Sequence, residues 1–401
     1  MGLSFKFLNS IHDVNERVWN ALWQSDYPFT QHAFLAALED SQSVSIESGW
    51  QPHHLIVEDG SETACVMLLY LKTHSYGEYV FDWGWADAYH QNGLEYYPKL
   101  INAVPFTPAT GQRIAFSEHV DKQTLLASLF STLEKHCQQQ GISGFHSLFP
   151  SSSCTERMKA WPNTAHRLGC QFHWFNAHYT NFDHFLAQMT SRKRKTILRE
   201  RRKVKEANIV VSMSKGHDLK TEDWQAFYQL YQRTYLKRSG HSGYLSEGFF
   251  TMLGQDLPHQ TAMARAYSNG HCVAAALYFY DSETLYGRYW GAIEEFDGVH
   301  FECCYYQGIE FAISEGLQRF DPGAQGEHKI QRGFTPVLTQ SIHWLAHTGF
   351  QRAIERFTQE EQAHIKQYCL SARDQLPFKE GMILVQPDIL LEQKGKGPTE
   401  P

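Results

Sequence analysis

The spacing of apolar side chains divides the chain into helical and strand-like stretches. Apolar residues recur at every third or fourth position in residues 31–39, 121–140 and 299–317, which predicts three amphipathic helices. Gly141 and Gly316 are natural ends for the second and third of these helices.

Strand-like runs fall into two groups, one in each half of the chain, and each group contains an Asp-Gly or Asn-Gly turn. Helices and strands alternate along the chain, so the pattern predicts an α/β or α+β fold. The predicted strands are residues 55–58, 64–71, 79–85 and 144–149 in the first half, and residues 262–268, 272–280 and 284–290 in the second half.

Three pairs of short sequence marks recur at similar spacing in the two halves. We interpret them as a tandem repeat of one fold with about 180 residues in each copy, which is a typical domain size. The prediction is a first domain at residues 1–185, a second domain at residues 186–385 and a tail at residues 386–401. The paired marks are Asp59-Gly60 with Asn269-Gly270, Trp83-Gly84 with Trp290-Gly291, and Tyr96-Tyr97 with Tyr305-Tyr306.

Composition narrows the class of protein. A chain of 401 residues with 42% hydrophobic content can bury two substantial cores, and its net charge of -7 argues against a globally basic nucleic-acid-binding protein.

The longest apolar run, residues 272–280, is too short to span a bilayer, and no signal peptide is recognisable, so we expect a soluble, cytoplasmic protein. Eight scattered cysteines without a CxxC pair predict reduced thiols, and we expect no metal site.

One segment, residues 192–206, carries a strong local charge. It contains nine basic and two acidic residues among good helix formers, which predicts a helix with a net charge of +7. Such a helix is either a solvated face paired with acidic neighbours or a face that binds a polyanion such as tRNA. The residues predicted to contact tRNA are Arg192, Arg194, Arg199, Arg202 and Lys203.

The stretch that follows the third predicted helix is unusually polar. Asp321-Pro322-Gly323 and Gly326 break the chain there repeatedly. Glycine lets the backbone approach a ligand, and the side chains between the breaks can donate, accept and carry charge. A solvated loop explains the same pattern equally well. The candidate binding residues of this stretch are Gln325, His328, Lys329 and Arg332.

Longer stretches in both halves carry a resemblance to a known family. The stretches HAFLAALEDSQSV, KTHSYGEYVFDWGWADAY, HFECCYYQGIEFAI and GAQGEHKIQRGFTP resemble the FemAB-like predicted N-acyltransferases of the GNAT superfamily, and the match covers roughly residues 5–385. The basic helix followed by an aromatic helix is also similar to the Fem-type aminoacyltransferases, which add amino acids to cell-wall precursors.

The resemblance implies an α/β (α+β) fold with tandem GNAT-like (acyl-CoA N-acyltransferase-like) domains, each a mixed, mostly antiparallel sheet flanked by helices. It also implies transfer of an acyl or aminoacyl group to an amine, on a cell-wall precursor or a related small molecule. The alternative is a non-catalytic binding module of this fold for peptidoglycan precursor or RNA. We expect no tightly bound cofactor, with acyl-CoA or aminoacyl-tRNA as the co-substrate.

One departure from the family pattern concerns coenzyme A. An ordinary GNAT enzyme cradles the pyrophosphate with the pattern Q/R-x-x-G-x-G/A at a helix N-terminus, where backbone N–H groups favour anions. Here Arg288 and Gly291 fit this pattern, but Ile293 stands where Gly or Ala belongs. Coenzyme A is therefore in doubt as the donor.

The chemistry of N-acyl transfer requires a neutral amine and donors aimed at a developing oxyanion. His328 is the candidate for proton handling because its ordinary pKa lies nearest neutrality, and Glu302 is a second candidate base. A purely structural hydrogen bond for His328, or a helix-dipole role for Glu302, explains each residue equally well. The predicted substrate-binding residues of this half are Lys329, Arg332, Gln325, Tyr305, Tyr306 and Arg288.

The first half contains a second polar and aromatic concentration. A hairpin followed by a mixed strand explains it without any function, and binding of a sugar or peptide acceptor explains it equally well. The candidate residues are His74, Tyr76, Glu78, Asp82 and Trp83.

Overall fold

The computed structural model describes residues 2–324 and 326–382, and these residues divide into two compact units. The first unit contains residues 2–168, 244–257 and 340–363, and the second contains residues 169–243, 258–339 and 364–382. Each unit is therefore assembled from three separate segments of the chain. The predicted C-terminal tail and Gln325 lie outside the described residues.

Strands form throughout both units. They are β1 (Leu3–Leu8), β2 (Trp50–Pro52), β3 (His54–Asp59), β4 (Glu62–Met67), β5 (Tyr70–Lys72), β6 (Lys99–Asn102), β7 (Ile114–Phe116), β8 (Gly144–Leu148), β9 (Ala165–Phe175), β10 (Ile209–Lys215), β11 (Thr261–Ser268), β12 (His271–Tyr280), β13 (Thr284–Ala292), β14 (Arg319–Asp321) and β15 (Thr335–Leu345).

Helices alternate with these strands. They are α1 (Glu16–Trp23), α2 (His32–Asp40), α3 (Trp83–Gln91), α4 (Lys122–Gln140), α5 (Ser152–Met158), α6 (Phe182–Ala187), α7 (Ser191–Glu206), α8 (Thr221–Ser239), α9 (Glu247–Asp256), α10 (Val299–Phe301), α11 (Gln307–Ser314) and α12 (Thr348–Arg373). A π-helical turn, Glu302–Tyr306, joins α10 to α11, so residues 299–314 form one helical run. No helix of the described residues is both long and apolar enough to cross a membrane.

The first unit contains two sets of paired strands. One sheet has the order β1-β3-β4-β7 and is antiparallel, and its β3–β4 hairpin turns at Asp59-Gly60. The other set runs β2-β5-β6-β8 and then the second half of β15. Helix α4 buries one apolar stripe, including Leu129 and Leu133, against Phe145 and the rest of this core.

The second unit is an antiparallel-dominated sheet with the strand order β10-β11-β12-β13-β14-β9 and the first half of β15. Its β11–β12 hairpin turns at Asn269-Gly270. The pair β13–β14 is parallel and short, because its backbone pairing ends at Tyr286 and Asp321. Ile197 and Val204 are the buried stripe of the basic helix α7, so this helix lies against the core of the unit.

One predicted strand is wrong. Residues 79–85 do not form a strand, because helix α3 begins at Trp83. Trp85 and Tyr89 stand four residues apart and are both buried, which is the spacing of one helix face, whereas Trp83 is exposed. The sequence mark Trp83-Gly84 is thus helical, whereas Trp290-Gly291 lies in strand β13.

Gly291 sets the distance between helix α8 and strand β13. A Cβ atom at this position would lie only 2.3 Å from the backbone of Leu230 and Tyr231 on α8. A backbone cannot yield as a flexible side chain does, so a larger residue forces the helix away from the sheet. Glycine therefore fixes how close the middle of α8 lies to β13.

Gly291→Ala is expected to lower the free energy of unfolding by about 1–3 kcal/mol, because α8 must move to accept the methyl group. The matched control is Gly84→Ala in helix α3, where nothing lies within 4 Å of the added Cβ. This control should be neutral or stabilising by up to about 1 kcal/mol, since alanine favours helix over glycine. Urea unfolding followed by fluorescence measures both, and equal stability of the two variants would contradict the account of Gly291.

Candidate active site

The second unit contains a pocket of about 910 Å³ between helix α8, the end of strand β13 and the start of the helical run at residues 299–314. Its position depends on Gly291, because that glycine brings α8 close to β13. The lining residues are Arg233, Thr234, Leu236, Lys237, Arg238, Trp290, Ala292, Ile293, Glu294, Glu295, Phe296, Asp297, Gly298, Val299, His300 and Phe301.

The pocket carries both signs of charge. Its three basic side chains all come from α8, and its three acidic side chains all come from the loop after β13. Lys237 Nζ pairs with Glu295 at 3.0 Å, and Lys203 of α7 pairs with Asp297 at 2.6 Å. Because the charges balance, the pocket is not a uniformly basic cradle for phosphates.

His300 is the titratable group on the apolar side of the pocket. Its ring meets Trp290 edge-on with centroids 5.2 Å apart. Burial, helped by the nearby His328, lowers the pKa of His300 to about 4. The imidazole is therefore neutral at pH 7 and has a ring nitrogen that can accept a proton.

Behind His300 lies a hydrogen-bonded pair. The Tyr305 hydroxyl and His328 Nε2 are 2.8 Å apart, and the Tyr305 ring lies 5.5 Å from the ring of His300. Burial and the positive charges of Arg332 and Lys329 lower the pKa of His328. We call these three residues the His300–Tyr305–His328 group. Tyr305 and His328 were predicted as site residues from the sequence, whereas His300 was not.

Arg332 supports the wall of the pocket from behind. Its Nη2 donates to Glu200 Oε1 at 2.8 Å and its Nε donates to the Tyr306 hydroxyl at 3.0 Å. The guanidinium also lies 3.4 Å from the centroid of Phe301, which lines the pocket. Arg332 and Tyr306 are thus bound into a buried network that begins at Glu200 on the basic helix α7.

Glu302 is held by a second residue of α7. Arg201 donates to both oxygens of Glu302, at 3.0 and 2.8 Å, and to Glu310 at 2.6 Å. Gln307 Nε2 donates to Glu302 Oε1 at 2.9 Å. Glu302 is therefore already engaged by three donor groups, and part of the positive charge of α7 is turned inward.

Arg288 makes a buried ion pair where strands β13 and β14 cease to pair. Its Nη2 lies 2.6 Å from Asp321 Oδ2, and both side chains are 2% exposed. Burial alone would raise the pKa of Asp321, but Arg288 and then His173 outweigh it and hold this pKa well below its ordinary value. Arg288 thus fills the gap between the strands, where the sequence pattern predicted a partner for pyrophosphate.

Lys329 lies behind the same gap. It is 1% exposed and donates to the Gly323 carbonyl at 2.6 Å. Burial lowers the pKa of Lys329 to about 8, although the nearby Asp321 opposes this shift. Gly323 N–H in turn donates to Asp321 Oδ1 at 2.9 Å, so the ion pair, Gly323 and Lys329 form one chain of contacts.

The candidates from the first half form a cluster of their own in the first unit. Lys99, which the sequence analysis missed, is fully buried and donates to Glu78 at 2.8 Å and also to Asp82. Burial raises the pKa of Glu78 to about 7, and Lys99 only partly offsets this shift. Tyr76 and Trp83 lie at the surface with ring centroids 5.0 Å apart.

His74 belongs to the same loop. Its Nε2 lies 3.1 Å from the Ser48 carbonyl, which fixes the ring beside the loop. Lys72 lies 3.4 Å from His74 Nδ1 and 3.9 Å from the centroid of Trp50. Burial lowers the pKa of Lys72 to about 7. The predicted acceptor-binding role of this cluster stays a prediction.

Solved structures of other proteins share the architecture of this chain. A conserved protein of unknown function from Bacteroides thetaiotaomicron aligns with a TM-score of 0.51 at 13% identity, over 85% of this chain and 100% of the other. FemX aligns with a TM-score of 0.51 at 12% identity, over 85% and 98%. A tandem GNAT protein from the clavulanic acid biosynthesis pathway aligns with a TM-score of 0.47 at 10% identity, over 86% and 99%. The predicted α/β (α+β) fold with mixed, mostly antiparallel sheets flanked by helices is confirmed.

The family follows from the sequence itself. Residues 10–380 match the model of the FemAB-like family, which is described as acting in peptidoglycan biosynthesis and recognition. The chain belongs to this family, as the sequence analysis predicted. No curated protein matches the chain significantly.

Four residues that the sequence analysis did not single out, His300, Arg233, Arg238 and Lys99, lie in sequence patterns that give little indication of a site. His300 directly precedes an aromatic residue near a helix start, and Arg233 and Arg238 are two of many charges on an ordinary-looking helix. Lys99 follows Pro98 and is the first residue of a strand of only four residues. Their roles depend on distant partners, so spacing along the chain does not reveal them.

Arg288→Met is expected to destabilise the protein by about 3–5 kcal/mol at pH 7, because it leaves the Asp321 carboxylate buried without its cation. The difference in stability between the variant and the wild type should become smaller as the pH falls. In the variant the pKa of Asp321 rises above its unfolded value, so the carboxylate is protonated first in the folded state. In the wild type the same pKa is depressed, so its contribution is lost only at still lower pH.

The control is the double variant Arg288→Met/Asp321→Asn, which removes both charges and should recover part of the stability. Urea unfolding at pH 7 and pH 5 measures all three proteins. If the single variant were as stable as the wild type at pH 7, the ion pair would not hold this region together.

Proposed function

We propose that the protein is an N-acyltransferase that joins an acyl or aminoacyl group to an amine on a peptidoglycan precursor or a related small molecule. The observation that carries the proposal is the pocket of about 910 Å³ with the neutral His300 on its apolar side. Membership of a family that acts in peptidoglycan biosynthesis and recognition supports the acceptor class. A putative lysylphosphatidylglycerol synthetase from Agrobacterium fabrum shares this fold, and joining of lysine to another molecule supports an aminoacyl-transfer reaction.

The His300–Tyr305–His328 group supports a proton-transfer role. The acceptor nitrogen attacks the carbonyl carbon of the donor, so a carbon–nitrogen bond forms and the bond to the donor's oxygen or sulfur breaks. The attacking amine gives a proton to the His300 imidazole, and the resulting imidazolium passes this proton to the departing oxygen or sulfur. The pKa of His300, lowered to about 4, keeps the imidazole neutral at pH 7. Its ring nitrogen accepts the proton as the carbon–nitrogen bond forms, because the amine becomes strongly acidic at that point.

The pocket suits an aminoacyl donor better than acyl-CoA. Arg288 of the coenzyme A pattern is engaged by Asp321, and Ile293 stands where that pattern has Gly or Ala. In the pocket, the carboxylates of Glu294, Glu295 and Asp297 attract the ammonium group of an aminoacyl ester, while Arg233 and Arg238 suit the phosphate of the nucleotide that carries it. We therefore propose aminoacyl-tRNA as the donor. The role of α7 in contacting tRNA stays a prediction.

A non-catalytic binding module is the second candidate. The buried engagement of Glu302 and Arg332 favours it, because these predicted site residues already have protein partners. A binding module would hold the precursor but would not transfer an acyl group to an added amine. Incubation with aminoacyl-tRNA or acyl-CoA and a panel of amine acceptors separates the two.

His300→Ala is expected to lower kcat/KM by about 100-fold or more, since it removes the proposed base. In the wild type, kcat/KM should fall as the pH is lowered toward about 4, where His300 becomes protonated. The matched control is His271→Ala, an exposed histidine of the same unit outside the pocket, which should keep full activity. Unchanged kcat/KM in the His300 variant would remove His300 from the mechanism.

A further inference from the structure

Three aromatic side chains of the first unit project into solvent from one loop and the helix that follows it. Tyr76 is 55% exposed, Phe81 is 60% exposed and Trp83 is 38% exposed. The rings of Tyr76 and Trp83 already meet, with centroids 5.0 Å apart. We call these three residues the aromatic platform. Tyr76 and Trp83 are in contact and Phe81 lies two residues before Trp83 in the chain, so these exposed aromatic side chains point to a binding function.

Hydrogen bonds and close packing anchor the backbone at Tyr76. Trp50 Nε1 and Lys72 Nζ both donate to the Tyr76 carbonyl, each at 3.2 Å. Gly77 has a φ of 81°, and a Cβ there would lie 2.6 Å from the Phe106 ring. The loop therefore takes a tight, left-handed turn over Phe106 that few other residues tolerate. An ordinary flexible surface loop has no such anchoring.

A buried ammonium group and a guanidinium hold the rest of the loop. Lys99 Nζ donates to Ser75 at 2.7 Å, to Glu78 at 2.8 Å and to Asp82, which brackets both ends of the segment. Arg167 Nη1 donates to the Phe81 carbonyl at 2.6 Å. The backbone of the platform is thus already positioned, and mainly side-chain rotation remains to be restricted when a ligand binds. This lowers the entropic cost of binding.

We propose that the aromatic platform binds a carbohydrate, with pyranose rings stacked on Tyr76, Phe81 and Trp83. A pyranose presents a face of C–H groups that fits a flat aromatic ring, and its hydroxyls stay in water or reach the tyrosine hydroxyl and indole N–H. The inference does not depend on acyl transfer, because it concerns binding at residues of the first unit alone.

A carbohydrate fits the platform better than another macromolecule does. A stable protein interface covers about 800 Å² on each partner, and three side chains provide only part of such an area. A peptide strand needs an unpaired sheet edge or an apolar groove, and the platform residues lie on a loop and at the first turn of α3. Sugar rings need only positioned aromatic faces.

The experiment measures binding of tetra-N-acetylchitotetraose by isothermal titration calorimetry, with tetra-alanine as the peptide arm. Trp83→Ala and Tyr76→Ala should each weaken sugar binding by about ten-fold or more, whereas Trp83→Phe should retain most of it. Tyr76 and Trp83 are both exposed, so the melting temperature of these variants should change little and loss of binding cannot be attributed to unfolding. Ile46→Ala, at another exposed apolar residue of the same unit, is the matched control.

Binding of the oligosaccharide that the platform variants weaken and the control does not would support the proposal. Binding of tetra-alanine alone would overturn it in favour of a peptide site. Failure to bind the sugar, or equal binding by the wild type and Trp83→Ala, would also overturn it. None of these outcomes bears on the His300 assay, so failure here and failure of acyl transfer are distinguishable.

Discussion

The buried ion pair between Arg288 and Asp321 is the contact on which the candidate active site depends. It lies where the short parallel pairing of β13 and β14 ends, and it ties the two strands together beyond that point. Asp321 also accepts from the Gly323 N–H, and the Gly323 carbonyl accepts from Lys329. The segment that carries His328 and Arg332 is therefore fixed at its first residues by a charge that burial makes costly to leave unpaired.

From this segment the contacts lead to the pocket. His328 reaches Tyr305 on the helical run at residues 299–314, and Arg332 lies over Phe301 in the pocket wall. Helix α8 forms the opposite wall at a distance set by Gly291. Gly291 and Arg288 match a phosphate-binding pattern in sequence, yet the structure gives each a packing or pairing role. These packing and pairing roles support the proposal of a donor other than coenzyme A.

Much of the fold could be predicted from the sequence, because its signals are local. The apolar stripe of α4, with its cap at Asp121 and its end at Gly141, and the two hairpins with Asp-Gly and Asn-Gly turns depend on neighbouring residues only. The strand predicted at residues 79–85 failed for a tertiary reason. Lys99 fixes the carboxylates before α3, and burial of Trp85 and Tyr89 then favours a helix over a strand.

The site could be predicted only in part, because tertiary contacts decide which of its side chains are buried. The polar stretch that contains His328, Lys329 and Arg332 was recognisable from its glycines, but the sequence did not reveal which side chains are buried. Lys329 and Arg332 turned inward, whereas His300 came to line the pocket. The basic helix combines both outcomes, since Arg201 pairs with buried Glu302 while Arg199 stays exposed. Whether a basic side chain of α7 is buried or exposed thus depends on whether an acidic residue far away in the sequence pairs with it.

The most direct test of the account is a crystal structure with a non-hydrolysable aminoacyl-nucleoside, an amide analogue of the aminoacyl ester. The account predicts that its aminoacyl group lies in the pocket beside His300, with its ammonium group near the acidic loop and the Arg288–Asp321 pair intact. An analogue bound between β13 and β14, with Arg288 displaced from Asp321, would contradict it. So would the same pocket occupied by coenzyme A in preference to the analogue.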